Sequence, residues 1–244
     1  TALPIYLPSK AEEDERRVNR ERERLQKEQT AHTVRIKSLL VLHGISLKSL
    51  QGFRDTLGQL RQYDGQPLPP DLRAELLREY ARYELASEQF KTLQRQMLET
   101  IKTGSSRGAQ VSRMLYQLRG MGLVASWLFS HEFFAWRRFD NRRQVGSCAG
   151  LTPTPYNSGN SEVEQGISKA GSRRVRKLAI EIAWMWLRYQ GQSKLSRWYN
   201  ERFAQGSKRM RRVGIVALAR KLLVGLWKYI EFGEIPDDAL LKAL

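Results

Sequence analysis

Residues 150–171 are rich in Gly, Ser, Thr, Pro and Asn, and they carry the hydroxyls of Ser158, Ser161 and Ser168. A serine becomes a nucleophile only with help, and in hydrolases that help is a histidine base. The histidines of this chain, His32, His43 and His131, all lie outside the segment, so acyl-transfer chemistry is not indicated. A serine in such a stretch can also be simple turn chemistry. Immediately afterwards come Lys169, Arg173, Arg174, Arg176 and Lys177, with Ser172 placed to cap a new helix. Cations at a helix start oppose the macrodipole, and an anion lying between them relieves that conflict. A second basic group, Lys208, Arg209, Arg211 and Arg212, precedes a long apolar run. Residue types and spacing therefore point to chemistry on phosphate.

Leu118-Arg-Gly120-Met-Gly122 is another device of this kind. Two glycines let a backbone turn tightly, and the free N–H groups of the helix that follows can face a phosphate. With Leu118, Met121, Val124, Ala125 and Leu128 in apolar spacing, the segment fits a helix–hairpin–helix, which holds duplex backbone without reading bases. An ordinary tight turn between packed helices fits the same residues. Trp127, Trp184, Trp186 and Trp227 lie in apolar helical contexts and are expected in the core. Trp136 and Trp198, beside arginines, are the better candidates for the surface.

Charge sharpens the argument. The 244 residues carry a formal charge of +17. Residues 1–104 hold 18 Lys+Arg against 15 Asp+Glu, and residues 105–244 hold 24 against 10. The second part is the expected polyanion binder. Cys148 is the only cysteine, which excludes an intrachain disulfide and suits a reducing compartment. The dispersed histidines, without cysteine companions, give no zinc pattern. Val213 to Ile230 is nearly continuous in apolar residues, but Arg220, Lys221 and Lys228 interrupt it. Charge at mid-span is expensive in a bilayer, so a buried helix is expected and no membrane contact.

The elements that must position these groups are helical. Residues 9–43 predict one long helix dense in Glu and Arg, stopped by Gly44, and 50–61 a short one. After a Pro- and Gly-rich linker, Asp71 opens a second long helix to about Lys102. There Leu76, Tyr83, Phe90 and Met97 recur with heptad spacing. The spacing leaves open an antiparallel hairpin or an interface between subunits. Beyond a junction at Gly104–Gly108, helices are expected over 109–117, 122–132, 141–149, 172–190, 194–204 and 208–232. The segment 150–171 is expected as a loop, with strand character at most around Tyr156 to Val163. The expected fold is all-α, with residues 1–104 a coiled-coil-like helical hairpin region and 105–244 a compact helical DNA-binding domain.

These blocks, in this order, resemble the transposases of insertion-sequence family 110, especially its 1111 subgroup. Leu118 to Phe203 resembles their C-terminal transposase domain. The specific part is Ala149-Gly-Leu-Thr-Pro153, Ser158-Gly159 and Ile167-Ser-Lys-Ala-Gly171. Arg17 to Leu40 resembles the coiled-coil segment before that domain, and Val216 to Trp227 its closing helix. The resemblance implies an RNA-guided recombinase of the bacterial cytoplasm, associated with the nucleoid, with DNA and a guide RNA as partners and a dimer or higher oligomer as its state. It implies Ser158 as the nucleophile and a phosphoserine link that lets strands be rejoined without ATP. It also implies Mg2+ on four acidic residues, the DEDD set, of an N-terminal RuvC-like domain. No such set is seen in this chain. The expectation is therefore the C-terminal part of a longer transposase, beginning inside it and inactive alone, with no metal site here. A non-catalytic helix–hairpin–helix binding module is the alternative. A tyrosine recombinase using Tyr156, Tyr199 or Tyr229 would want an Arg/His/Arg/Tyr set, and a purely structural coiled coil leaves the charge of the second half unexplained.

Overall fold

The computed structural model describes residues 7–158 and 161–242, the side chains of 155–158 and 161–165 excepted. The fold is mainly α. In chain order it runs α1 (Lys10–Val41), α2 (Phe53–Thr56), α3 (Pro70–Thr103), α4 (Arg107–Gln117), α5 (Leu123–Phe129), α6 (Arg142–Cys148), a hairpin of β1 (Pro153–Ser158) and β2 (Ser161–Ile167), α7 (Arg173–Tyr189), α8 (Lys194–Tyr199) and α9 (Lys208–Phe232). Helices α5 and α8 each run on into a π-helical turn, over Ser130–Phe134 and Asn200–Ala204.

The sequence sets several of these starts through capping. Ser106, Ser172, Ser193 and Ser207 each accept a hydrogen bond from a backbone N–H three residues on, and Asn141 accepts two. Each cap satisfies donors that the first turn leaves unpaired. At the other end of α9, Gly233 takes the left-handed conformation at φ 72°, the usual glycine stop.

The chain divides into two compact units, residues 17–97 and residues 1–16 with 98–244. The expected boundary at residue 104 lies instead near 97, and the first turns of α1 belong with the later residues. In the smaller unit α1 and α3 run antiparallel. Arg22 lies 5.3 Å from the Phe90 ring, while Arg35 reaches Glu79 at 3.0 Å. Ile36 and Leu40 pack with Phe53, Leu57, Leu76 and Tyr80. Glu79 is buried among them. Burial alone would raise its pKa, but hydrogen bonds from His32 and Arg35 outweigh burial and hold the carboxyl below its ordinary value. Of the heptad positions, Leu76 and Met97 are fully buried and Tyr83 and Phe90 half-buried.

The larger unit is built around α9. Ile215, Leu218, Leu222, Leu223 and Leu226 meet Trp186, Ala179 and Val175 of α7, with Leu115 and Phe129. Burying such side chains contributes about 1.5–3 kcal/mol each, which accounts for the apolar run in α9. Among the described residues no helix is long and apolar enough to cross a membrane.

The segment expected as a loop is largely a β-hairpin. Ser158 pairs with Ser161, Tyr156 with Val163 and Pro153 with Ile167, with an irregularity between Pro153 and Pro155. Two strands with no third among the described residues, and with few apolar residues, leave little alternation to read. The core assignments need correction too. Trp127, Trp186 and Trp227 are buried, but Trp184 is 48% exposed. Successive helix residues turn by about 100°, so Trp184 and Trp186 cannot both face the core.

Candidate nucleic-acid interface

The foot of the hairpin is clasped tightly. Gly150 and Gly171 have φ of 67° and 97°. A Cβ on Gly150 would lie 2.0 Å from the Ala170 carbonyl oxygen, and one on Gly171 2.1 Å from that of Cys148. Only glycine permits both the left-handed backbone and this approach. The Lys169 amide donates to Gly150 (3.2 Å) and the Ser168 amide to Thr152 (2.9 Å). Arg176 Nη1 closes the clasp by donating to the carbonyls of Lys169 (3.0 Å) and Ala149 (3.4 Å). The hairpin thus has a fixed base. The backbone of Ser158 ends β1, and its side chain lies outside the described residues.

The basic residues after the hairpin do different jobs. Lys169, at φ 55°, and Arg173 are exposed. Lys177 is exposed beside Glu181 (3.6 Å). Arg176 is committed to the clasp. Arg174 Nη1 donates to Glu132 Oε1 at 2.9 Å. Glu132 is buried on the π-helical turn and also receives Arg16, through Nε (3.0 Å) and Nη2. Arg137 Nη1 donates to the Glu132 carbonyl (2.7 Å), and the guanidinium carbon of Arg137 lies 3.8 Å from the Trp136 ring centroid. Burial lowers the pKa of Arg137. Trp136 is half-buried, donating to the His131 carbonyl at 2.9 Å, so it is a structural ring and not a surface platform. Burial also pushes the Cys148 thiol upward, which leaves it a poor nucleophile.

The turn between α4 and α5 holds Gly120 at φ 90°, where a Cβ would sit 3.2 Å from Tyr189 Cβ. Gly122 opens α5 in extended conformation, with open space around it. The C-terminal segment straps this turn. Lys242 Nζ donates to the carbonyls of Met121 (2.8 Å) and Tyr116, and Gln190 Nε2 reaches those of Arg119 and Leu240 (both 2.8 Å). Two helices and a tight glycine turn are therefore present, held by carbonyl contacts that sequence spacing did not reveal.

Lys208, Arg209, Arg211 and Arg212 are all exposed on the first turns of α9. Arg142, Arg143, Arg220 and Lys221 form a further cationic group, which sequence reasoning missed because α6 and α9 bring it together only in the fold. One clue was available. Arg209 and Arg220 are eleven residues apart, about three helical turns, and so share a face. Trp198 is half-buried, 4.6 Å beneath Lys221 Nζ.

Two tyrosines that could have served as nucleophiles are structural. Tyr199 is 4% exposed and donates to the Arg211 carbonyl, and Tyr229 is 6% exposed and donates to Gln117 Oε1. Burial raises both pKa values. Among the described residues no group of His, Cys, Asp or Glu is placed to hold a metal ion.

Residues 112–200, from α4 through the hairpin to α8, match the family described as Transposase IS116/IS110/IS902 family. The chain is 42% identical to "Putative transposase y4rJ" of Sinorhizobium fredii (strain NBRC 101917 / NGR234), over 98% of this chain and 62% of that protein. It is 25% identical to "Transposase for insertion sequence element IS1328" of Yersinia enterocolitica, over 89% of this chain and 63% of that protein. The chain thus spans about three-fifths of the length of these curated relatives.

Proposed function

We propose that this chain is the C-terminal part of a transposase of this type, and that it binds DNA and supplies the serine nucleophile for strand cleavage and exchange. The observation that carries the reading is the overlap of the family match at 112–200 with the clasped hairpin and the basic start of α7. In the proposed step Ser158 Oγ attacks a backbone phosphorus. The new P–O bond forms as the bridging P–O bond breaks, the serine proton passes to solvent, and the departing strand leaves as a hydroxyl. Attack by another hydroxyl reverses the step and releases Ser158, so the energy of the diester is kept. The exposed Lys169 and Arg173, at the foot of the hairpin, can hold phosphates of the strand that leads to Ser158.

Where the resemblance implies Mg2+, the described carboxylates offer no set that fits it, so no step is assigned to metal on this chain. The metal belongs to the proposed RuvC-like domain of the whole protein, and a guide RNA is proposed as the second nucleic-acid partner. Homo-oligomerisation is proposed through α1 and α3, where Val34 and Leu85 are exposed apolar residues.

The test uses a full-length protein that joins this chain to its N-terminal segment. Ser158→Ala should abolish strand cleavage while DNA binding stays within about twofold of the parent, since one neutral hydroxyl adds little to a largely ionic affinity. Ser161→Ala and Ser168→Ala should still cleave. A covalent protein–DNA adduct mapped to any residue but Ser158, or recombination by the alanine variant, defeats the assignment.

A further inference from the structure

The larger unit contains a cleft of about 800 Å³ between α6, α9, the start of α8 and residues 234–237. Its walls carry Arg142 and Arg143 from α6 and Arg220 and Lys221 from α9. None of these four has an ion-pair partner among the described residues. The carboxylates in the cleft do not serve them, since Asp237 is taken by Lys194 (2.8 Å) and Glu234 by Lys228 (3.0 Å). Four unneutralised cations from two elements repel one another, and such a concave, one-signed surface concentrates polyanions.

Size and floor narrow the ligand. The volume lies in the roughly 300–1,000 Å³ range of sites that enclose a drug-sized molecule, which suits a few nucleotides and not a duplex. Leu195, Val224, Ile235 and Pro236 give the cleft an apolar floor. Sugars and base faces can use such a floor, whereas a phosphate alone cannot. Position narrows it further. Thr152, which lines the cleft, is the residue before β1. A strand leaving there would pass along about 17 Å of β1 toward Ser158, at ~3.3 Å per residue. On the other side, the shared face of Arg220 and Arg209 extends the basic track along α9.

We propose that this cleft holds the backbone of a single-stranded nucleic-acid segment at the foot of the hairpin, with Arg142, Arg143, Arg220 and Lys221 on successive phosphates. The inference rests on the nucleic-acid reading above and adds a second site, apart from the start of α7.

The test is fluorescence anisotropy of this chain with labelled oligonucleotides of about 12 residues, within the footprint range of single-strand binders. Single-stranded DNA, single-stranded RNA and duplex DNA of one sequence are compared across a salt series. Each single-strand phosphate contact contributes about 0.7 to the slope of log affinity against log salt. The variant R142Q/R143Q/R220Q/K221Q should bind single strands at least tenfold more weakly, with the slope reduced by about 2–3. The milder R142Q/R143Q should lose about half of that. Both of its sites are exposed on the first turn of α6, where removing cations relieves the helix dipole and spares folding. Loss on the DNA arm, the RNA arm or both supports the cleft and says which strand it takes. Loss confined to duplex, loss equal on duplex and single strands, or unchanged binding by both variants overturns it. If the parent chain binds no nucleic acid, this inference and the proposed function fail together. If the parent binds and the cleft variants bind like it, only the cleft fails.

Discussion

Gly150 and Gly166 make a matched pair for measuring what the clasp contributes. Both have positive φ, 67° and 83°. Alanine at either must enter the left-handed region, at about 1–2 kcal/mol. At Gly166 nothing lies within 4 Å of the added Cβ, so that cost stands alone. At Gly150 the Cβ would meet the Ala170 carbonyl oxygen at 2.0 Å, its carbon at 3.0 Å and Arg176 Nη1 at 2.7 Å. The side chain can yield, but the backbone carbonyl must retreat by more than an ångström to restore ordinary contact. That adds about 1–3 kcal/mol of overpacking. It also endangers the Lys169–Gly150 and Ser168–Thr152 hydrogen bonds, worth about 0.5–1.5 kcal/mol each. The expected totals are about 1–2 kcal/mol for Gly166→Ala and about 3–8 kcal/mol for Gly150→Ala. At roughly 2–4 °C per kcal/mol for a domain of this size, Gly150→Ala should melt at least about 4 °C below Gly166→Ala. Calorimetry would measure the melting, and hydrogen exchange at the Ser168 and Lys169 amides would localise the damage. In the full-length protein the same variant should cleave poorly, because the strand carrying Ser158 has lost its footing. Equal melting of the two variants, or unchanged exchange at the hairpin foot, would refute the reasoning.

Glu132→Gln removes the carboxylate that Arg16 and Arg174 share, while Arg16 keeps Glu13. The expected loss is about 2–3 kcal/mol, below the ~3–5 kcal/mol typical of a broken buried pair, and urea titration would detect it. His131 is buried, with Nε2 3.3 Å from Glu15 Oε2 but not hydrogen-bonded to it, and burial lowers its pKa despite the nearby Glu15 and Glu132 carboxylates. The unfolded chain therefore binds the proton more readily, so the His131 contribution is complete above about pH 6.5 and is lost as pH falls below it toward the folded pKa. His131→Gln should flatten that part of a stability-against-pH curve, and an unchanged curve counts against the assignment. Sedimentation at micromolar concentration should show more than a monomer if α1 and α3 carry an interface, and a Leu85→Glu variant should shift it toward monomer.

The helices were readable because their determinants are local. Ser106, Asn141, Ser172, Ser193 and Ser207 announce helix starts within three residues of the bonds they make. Gly233 announces a stop in the same way. The hairpin was not readable, because β1 and β2 are short and their sequences show no sustained apolar alternation. Its register depends on the glycine clasp, which joins Gly150 to residues some twenty positions on. Local apolar content alone puts Trp184 in the core, but the helical turn that separates it from Trp186 sends it to solvent.

The candidate site divides along the same line. A run of basic residues at a helix start is visible in sequence, but what each side chain binds is decided by distant partners. Arg174 meets Glu132 and Arg176 meets the clasp carbonyls, so two prominent members of the α7 cluster serve the fold at least in part. The cleft cations show the converse. Arg220 and Lys221 look like interruptions of an apolar helix, and Arg142 and Arg143 like an unremarkable helix start, until α6 and α9 bring them to one cavity. Charge in the second half of the chain is therefore spent on two tasks, pinning the hairpin and presenting free cations. Neutralising a residue of the first kind should change melting as well as binding. Neutralising one of the second kind should change binding and its salt slope alone.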